Sequence, residues 1–335
     1  NLVPGDTNGH PDAFVLDLRT GAITRVSTTS GGRQANGPVE QVAVDGLCTR
    51  VAFTARATNL VLTRTRRASW KPARTRRNPP GVRQVYVKFL GDRTAHDRAL
   101  RGMTMLASAR AGRPGDGDSS DPDFSQRGRV LAFTSQADNL GAGASPHPQV
   151  HLRELRPALG RRLRGRSIRT LSLHTTLVSG PRAEEPGNGP SVDPAIDAGG
   201  TTVAYETRAS NLRDGDLRGT SQIIRTTVAG SVRRHAWASD DENGRLGDGP
   251  SHNAAITHGG SSVFFDTAAR NLRPPGDRVP ARQVVFTRPV PFVVSTAPQG
   301  GPMPQDASRA DTSAHLNYVV FESAGSIWLR YLGPK

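Results

Sequence analysis

The sequence predicts an all-β fold, a β-propeller, most simply of six blades with four antiparallel strands each. Three observations predict it. A block of strand-like segments recurs along the whole chain. The segments are short runs of Val, Phe, Tyr and Thr punctuated by Gly, Asn and Asp, the pattern of strands joined by tight turns. No amphipathic stretch of three helical turns interrupts them, which argues against helices packed on a sheet. One four-stranded repeat cannot bury both of its faces alone, so the repeats must stack.

Each repeat has the same order of parts. A Gly-rich turn comes first, as in ANGP at Ala35, GDGD at Gly115, GNGPS at Gly187 and GDGPS at Gly247. A short segment ending in a turn follows, as in VAVDG at Val42, PDFSQRG at Pro122, PAIDAGG at Pro194 and AAITHGG at Ala254. Next come VAFTARATNL, VLAFTSQADNL, VAYETRASNL and VFFDTAARNL, ending at Leu60, Leu140, Leu212 and Leu272; YVVFESAG at Tyr318 is a copy without Asn-Leu. Consecutive apolar residues in these strands imply burial on both faces. The Asn of Asn-Leu is expected to close an Asx-turn through its side chain, and the Leu to drop between sheets.

A further strand begins at Asp12, Gln84, Gln149, Ser221, Gln283 and Ser326. QVYVKFL at Gln84 alternates, with Tyr86 and Lys88 opposite Val85, Val87 and Phe89, and reads as half exposed. A last strand is expected in ITRVST at Ile23, MTMLAS at Met103, IRTLSL at Ile168, VRRHAWAS at Val232 and FVVSTA at Phe292. The Asn-Leu pairs start at residues 1, 59, 139, 211 and 271, steps of 58, 80, 72 and 60. The longer steps read as long loops, not added strands, with basic insertions over 61–80 and 156–170.

The blades are expected over 1–36, 37–112, 113–182, 183–244, 245–298 and 299–335 as a single domain. The chain starts with Asn1 inside a repeat, so an upstream segment carrying a secretion signal is expected to have been removed, and the last blade is expected to close with the first. Five blades with a redundant last strand, Ile327 to Leu332, is the alternative count.

These repeats resemble the PD40 repeats of TolB-like, WD40-like propellers, whose blades carry Ser-Pro-Asp-Gly before a strand of the type Ile-Ala-Phe. VAVDG followed by VAF is the best match; SQRG, DAGG and THGG are degraded versions, and NLVPGDTNGHPDAFVLDLRTG at Asn1 looks like an intact copy. The resemblance covers essentially the whole chain and implies a bacterial extracytoplasmic protein, periplasmic, cell-envelope or secreted. It implies a non-enzymatic binding or scaffold module for a peptide, protein or cell-envelope polymer, acting as a monomer. A propeller alone fixes no activity, so a hydrolase or lyase with a central-channel site is carried as an alternative.

Composition narrows the partners. Among 335 residues, 44 bases face 29 acids, a net charge of +15. Only Lys71, Lys88 and Lys335 are lysines, so 41 of the 44 bases are arginine, a skew that a GC-rich coding sequence also produces. No apolar run is long enough to span a membrane. Arg64, Arg66, Arg67, Lys71, Arg74, Arg76 and Arg77 crowd one loop around Trp70, a composition suited to gripping phosphates and stacking on a base. Arg161, Arg162, Arg164, Arg166 and Arg169 form a second cluster. The simplest reading of both is an expanded, solvated loop; polyanion or nucleic-acid binding is the alternative function.

Other candidate groups are sparse. Asp6, Asn8 and Asp12 place oxygens at alternating positions around Gly9 and are suited to Ca²⁺, without the full EF-hand pattern; a solvated Asn-Gly turn is the competing reading, and no other cofactor is expected. His147 and His151 lie where a loop enters a strand, and Glu184-Glu185 and Asp240-Asp241-Glu242 lie in Gly/Pro-rich connections. The lone Cys48 excludes an intramolecular disulfide and is expected to be a buried, inert thiol. No nucleophile elbow, zinc-protease motif or phosphate-binding Gly loop occurs.

Overall fold

The computed structural model describes residues 2–61, 78–91, 100–141, 143–163, 166–274, 277, 279, 282–287, 291–312 and 317–332. It is all-β, and among the described residues its helical content is a 3₁₀ turn at Asp138–Leu140 and the one helical residue Leu100. The chain divides into two compact units. One holds Asn1–Pro146 and His151–Leu177; the other holds His147–Val150 and Val178–Lys335.

In the first unit, β1 (Phe14–Leu16) and β2 (Ile23–Arg25) form a hairpin. A four-stranded antiparallel blade follows from β3 (Val39–Val44), β4 (Arg50–Ala55), β5 (Gln84–Phe89) and β6 (Thr104–Leu106). A small ribbon joins β7 (Ala109–Arg110) to β8 (Arg113–Pro114). The next blade orders β9 (Ser119–Phe124), β10 (Val130–Ser135), β11 (Gln149–Glu154) and, after β12 (Arg156–Leu163) and β13 (Arg166–Ser172), β14 (Thr175–Leu177). The second unit has a blade of β15 (Ser191–Ile196), β16 (Thr202–Thr207), β17 (Gln222–Ala229) and β18 (Val232–Trp237). It continues with β19 (Ser251–Ile256), β20 (Val263–Thr267), β21 (Gln283–Thr287) and β22 (Pro291–Val293). It ends with β23 (Ala307–Thr312), β24 (Tyr318–Ser323) and β25 (Ser326–Tyr331).

The described strands thus give four blades of four and one of three, the five-bladed count, plus the β1–β2 hairpin. The sixth blade expected at the start exists only as that hairpin. The last strand is not redundant, because β25 pairs with β24 from Ser323↔Ser326 to Tyr318↔Tyr331.

Apolar triplets in the second strand of each blade build the cores between blades. Phe53, Phe133, Tyr205 and Phe265 are fully buried. Leu60, Leu140 and Leu272 pack with them, as the Asn-Leu pattern predicts.

Three side-chain devices fix the blades. The first is a lock at the start of the third strand. Gln84, Gln149, Gln222 and Gln283 are buried. Their amides donate to the carbonyls of Gly115, Gly187, Gly247 and Met303 at 2.7, 3.0, 3.0 and 2.8 Å. Their carbonyl oxygens accept from the hydroxyls of Ser108, Ser179, Ser239 and Ser295. Each serine oxygen in turn accepts the backbone N–H of the residue after the glutamine. The lock ties the third strand to the fourth and to the turn that opens the next blade, with all polar atoms paired.

The second device replaces the expected Asx-turn. Asn59, Asn211 and Asn271 accept the backbone N–H of Asn36, Asn188 and Asp248, at 3.1, 2.9 and 2.9 Å. Asn36, Asn188 and Asp248 return the bond by accepting from Thr58, Ser210 and Arg270. The Asn side chain therefore clamps the Gly-rich turn of its own blade instead of closing a local turn.

The third device corrects the exposure expected for β5, all six residues of which are buried. Lys88 reaches across to the preceding hairpin. Its ammonium donates to Thr28 Oγ1 at 2.9 Å, to the carbonyls of Thr28, Thr29 and Gly102 at 3.4, 3.1 and 2.9 Å, and to Thr104 Oγ1 at 3.2 Å. Arg153 does the same in the next blade, donating to the carbonyls of Ala109 and Leu173 and to Thr175 Oγ1, each at 2.6 Å. Burial pushes Lys88 down to about 8 and Arg153 down to about 10.

The Lys88 shift predicts a pH dependence. Between about pH 8 and the ordinary lysine value, the unfolded chain holds a proton that the folded chain has lost, so stability rises with pH. The difference between wild type and Lys88→Met, measured by urea unfolding, should change by about 2 kcal/mol from about pH 7.5 to 9.5. A flat difference would place Lys88 in water. Tyr86 and Tyr205 are both raised by burial and are common to both proteins, so they cancel.

Two further expectations fail. The long third blade does contain added strands: β12 and β13 pair with each other inside the 156–170 insertion, so Ile168 lies in β13 and the fourth strand is β14. Cys48 is exposed, with a φ of 52°, because it sits in the β3–β4 turn rather than in a strand.

Candidate inner-strand polar ladder

In a propeller the first strand of each blade lines the channel. Here the first strands share one irregularity. Two residues oppose one on the second strand between Val39 and Val42, Ser120 and Asp123, Val192 and Ala195, His252 and Ala255, and Ser308 and Asp311. In four of the five, the extra residue has a left-handed backbone: Asp121, Asp193, Asn253 and Arg309, with φ of 51–53°. Asp and Asn tolerate that region better than other side chains. A bulge bends the strand and re-aims its side chains.

Next to the bulges, polar groups pair both within a blade and with the adjacent blade. In the first unit, Gln41 Nε2 donates to Asp121 Oδ1 at 2.7 Å, and the Asp121 N–H donates back to Gln41 Oε1 at 3.0 Å. Arg56 binds Asp118 at 2.9 Å and Glu40 at 3.3 Å, and Arg83 binds Glu40 at 2.6 Å. The bond it donates to Asp118 holds the Arg56 guanidinium above its ordinary value.

In the second unit an acid stands at one register of three successive second strands: Glu206, Asp266 and Glu322. His252 Nδ1 lies 2.8 Å from Glu206 Oε2. Asp266 is buried and accepts from Asn253 at 2.7 Å and from Arg282 at 3.1 Å. Arg309 lies 3.4 Å from Glu322. Burial raises the Asp266 carboxyl, against the pull of Asn253 and Arg282. The hydrogen bond with Glu206 raises His252, and burial opposes it.

The second strand ends beside this ladder and runs into the variable connection that follows Asn-Leu. The ladder and those connections therefore share one end of the blades within each unit. The strand pattern makes the acids visible, each following an apolar triplet in VAYE, VFFD and VVFE. The triplets themselves mark core.

The His252 pairing is testable. A histidine raised in the folded state contributes stability below its unfolded value near 6.5, and loses it as pH rises through the folded value. Replacing Glu206 by Gln should move the His252 titration downward by nuclear magnetic resonance and remove that part of the pH–stability curve. An unchanged midpoint would show that Glu206 does not hold the imidazole.

Two of the residues singled out for Ca²⁺, Asn8 and Asp12, are hydrogen-bonded to each other. Ser27 Oγ donates to Asp12 Oδ1 at 2.5 Å and accepts the Ala13 N–H at 3.1 Å. Asn8 Nδ2 reaches Asp12 Oδ2 and the Ala35 carbonyl, both at 3.0 Å. Asp12 and Asn8 together thus reproduce the glutamine lock. Arg25 lies 3.5 Å from both Asp6 and Asp12. Among the described residues, no three of His, Cys, Asp and Glu gather into a metal-binding group.

Arg64, Arg66, Arg67, Trp70, Lys71, Arg74, Arg76 and Arg77 lie outside the described residues. Their segment joins the end of β4 to the start of β5. The second Arg cluster belongs to the connection between β11 and β14, which leaves from the opposite strand ends. His151 is buried and stacked on Phe133 with ring centroids 5.6 Å apart.

No protein-family model matches the chain, and no curated protein matches it. Solved structures do. A protein assigned as TolB from Agrobacterium tumefaciens matches with 10% identity and a TM-score of 0.49, over 96% of this chain and 84% of that one. TolB from Acinetobacter baumannii matches with 11% identity and a TM-score of 0.40, over 96% of this chain and 60% of its own length. The tricorn protease matches with 12% identity and a TM-score of 0.49, over 97% of this chain and 28% of that one. Two of these three carry the name the repeats resemble; at such identities no function transfers.

Proposed function

We propose that the chain is a non-enzymatic, extracytoplasmic binding or scaffold module that holds a peptide or protein segment at the ladder end of its blades. The observation that supports this is the ladder itself. His252 is tied to Glu206 of the preceding blade, Asp266 is held by Asn253 and Arg282 within its own blade, and the locks and clamps fix the strands that carry them. Groups fixed before binding lose little entropy on binding, so a modest set of polar contacts suffices for recognition. The variable connections at the same end supply the surface on which specificity is built. Among the described residues no helix is long and apolar enough to cross a membrane.

The experiment is selection of a displayed random-peptide library on the immobilised chain. Enriched peptides should bind at least about tenfold more weakly to an Asn253→Ala, Asp266→Asn variant, the loss of one or two charge-assisted bonds. An absence of enriched peptides, or equal binding to the folded variant, would overturn the reading.

A further inference from the structure

Three seams between successive sheets use one kind of contact. The residue after a lock serine offers its carbonyl to a donor of the following blade: Thr28 after Ser27, Ala109 after Ser108 and Gly180 after Ser179. Lys88 reaches the first carbonyl at 3.4 Å, and Arg153 the second at 2.6 Å. The third donor is a histidine. His235 Nε2 lies 3.0 Å from the Gly180 carbonyl oxygen. The lysine and the arginine keep their charge at and below pH 7, whereas an imidazole changes charge there.

The bonds around His235 suit only its neutral form. A carbonyl oxygen only accepts, so Nε2 carries a hydrogen. Nδ1 lies 2.8 Å from Thr226 Oγ1, which lies 2.9 Å from the Tyr205 hydroxyl oxygen. With the ring neutral, Nδ1 accepts from Thr226 and Thr226 accepts from Tyr205, so two hydrogens serve two contacts. A proton on Nδ1 puts three hydrogens on the same two contacts. Thr226 and Tyr205 are fully buried, and among the described residues their hydroxyls have no other partner. One buried hydrogen is then left without an acceptor.

The charges that bear on the ring also oppose a proton. Both are positive: Arg233 of its own strand and Arg213, whose Nη1 donates to the His235 carbonyl at 2.9 Å. Arg213 in turn faces Asp240, beyond the end of β18. β16 and β17 present only the Tyr205 and Thr226 hydroxyls. On the connection after β14, Arg182, Glu184 and Glu185 are exposed, and Arg182 pairs with Glu185 at 3.5 Å. Burial, aided by the two arginines, holds the imidazole below its ordinary value against the pull of the Gly180 carbonyl. We propose that His235 is an acid-operated latch: the neutral ring holds the connection between β14 and β15 against β18, and protonation releases it. The latch is independent of what the ladder end binds.

Hydrogen exchange read by nuclear magnetic resonance, corrected for the intrinsic pH dependence of exchange, tests this on the wild type and His235→Gln. Val178 and Gly187 flank the connection and donate to the Val150 and Ser179 carbonyls, both at 2.8 Å. Once the connection opens, the ring regains its ordinary titration near 6.5, so opening grows more favourable as pH falls. Protection of Val178 and Gly187 in the wild type should drop about tenfold from pH 7 to 5.5. In His235→Gln it should stay level. Val294, on the next blade and bonded to the Val284 carbonyl at 2.8 Å, should stay level in both. A level wild type, or an equal drop in the two proteins, would overturn the latch. So would a loss at Val294 that matches the loss at Gly187, since the blades would then open together. The imidazole titration, followed in the wild type alone, keeps the test decisive if the variant does not fold: a midpoint at or above the ordinary histidine value would overturn the proposal.

Discussion

Replacing Gln222 by Leu is expected to lower stability by about 2–5 kcal/mol, the cost of stranding two buried polar partners. Leucine roughly keeps the volume of the side chain and removes only its hydrogen bonds. The Gly247 carbonyl then loses its donor at 3.0 Å, and the Ser239 hydroxyl loses its acceptor at 2.7 Å. The Gly249 carbonyl, 3.2 Å from the same amide, is weakened as well. Both carbonyls belong to the turn that opens the next blade, so the loss falls on a junction and not on one strand. Ser239→Ala alone should cost less, because the Ile223 N–H is the group it orphans most directly. The double variant should cost less than the sum of the two, since each single change already breaks the shared bond. Denaturant unfolding of the four proteins measures this. A Gln222→Leu loss below about 1 kcal/mol would mean that water satisfies the turn carbonyls and that the lock is decorative.

That lock shows what the sequence made legible and what it hid. The strands were readable because VAF, VAY and VFF are apolar without alternation, and only burial on both faces accommodates that. The glutamines at 84, 149, 222 and 283 are equally regular, yet they read only as strand starts. Their serine partners lie 24, 30, 17 and 12 residues downstream, so no fixed spacing marks the pair. Asn59, Asn211 and Asn271 misled in the opposite way. An Asn beside a turn has a local explanation, and the true partner lies 23 residues upstream. Lys88 looked solvent-facing because alternation describes a sheet with one wet face. In this blade both faces are covered, and the ammonium finds its oxygens on the neighbouring hairpin's end and on its own blade. Asp12 admits both a metal-ligand and a solvated-turn reading in isolation; in the fold its carboxylate also takes the place of a glutamine in the repeat. In the candidate site, the acids at 206, 266 and 322 were visible as a column. Their partners His252, Asn253 and Arg282 sit on other strands, which only the bulges and blade packing bring near.

Gly117→Ala should cost about 2–4 kcal/mol, combining overpacking with damage to a clamp. A Cβ at Gly117 would lie 2.6 Å from the Gln136 carbonyl oxygen and 2.7 Å from its carbon. Both are backbone atoms at the end of β10, so no side chain can rotate away, and the turn itself must shift. Asp116 is held in that turn, where its carboxylate accepts the Asp138 N–H at 2.9 Å. Asp118 follows and binds Arg56 at 2.9 Å. Displacing the turn therefore loosens the clamp within one blade and the ion pair to the blade before it. Gly189 meets the Arg208 carbonyl oxygen at 2.7 Å in the same way, so Gly189→Ala should behave alike in the other unit. Gly31→Ala is the control: its nearest neighbour would be a hydroxyl at 3.8 Å and its backbone is not left-handed, so its effect should stay within about 0.5 kcal/mol. Thermal and urea unfolding of the three variants decide the matter. If Gly117→Ala matched Gly31→Ala, the second glycine of the Gly-rich turn would be a matter of composition, and close approach of the two backbones would not be what the repeat preserves.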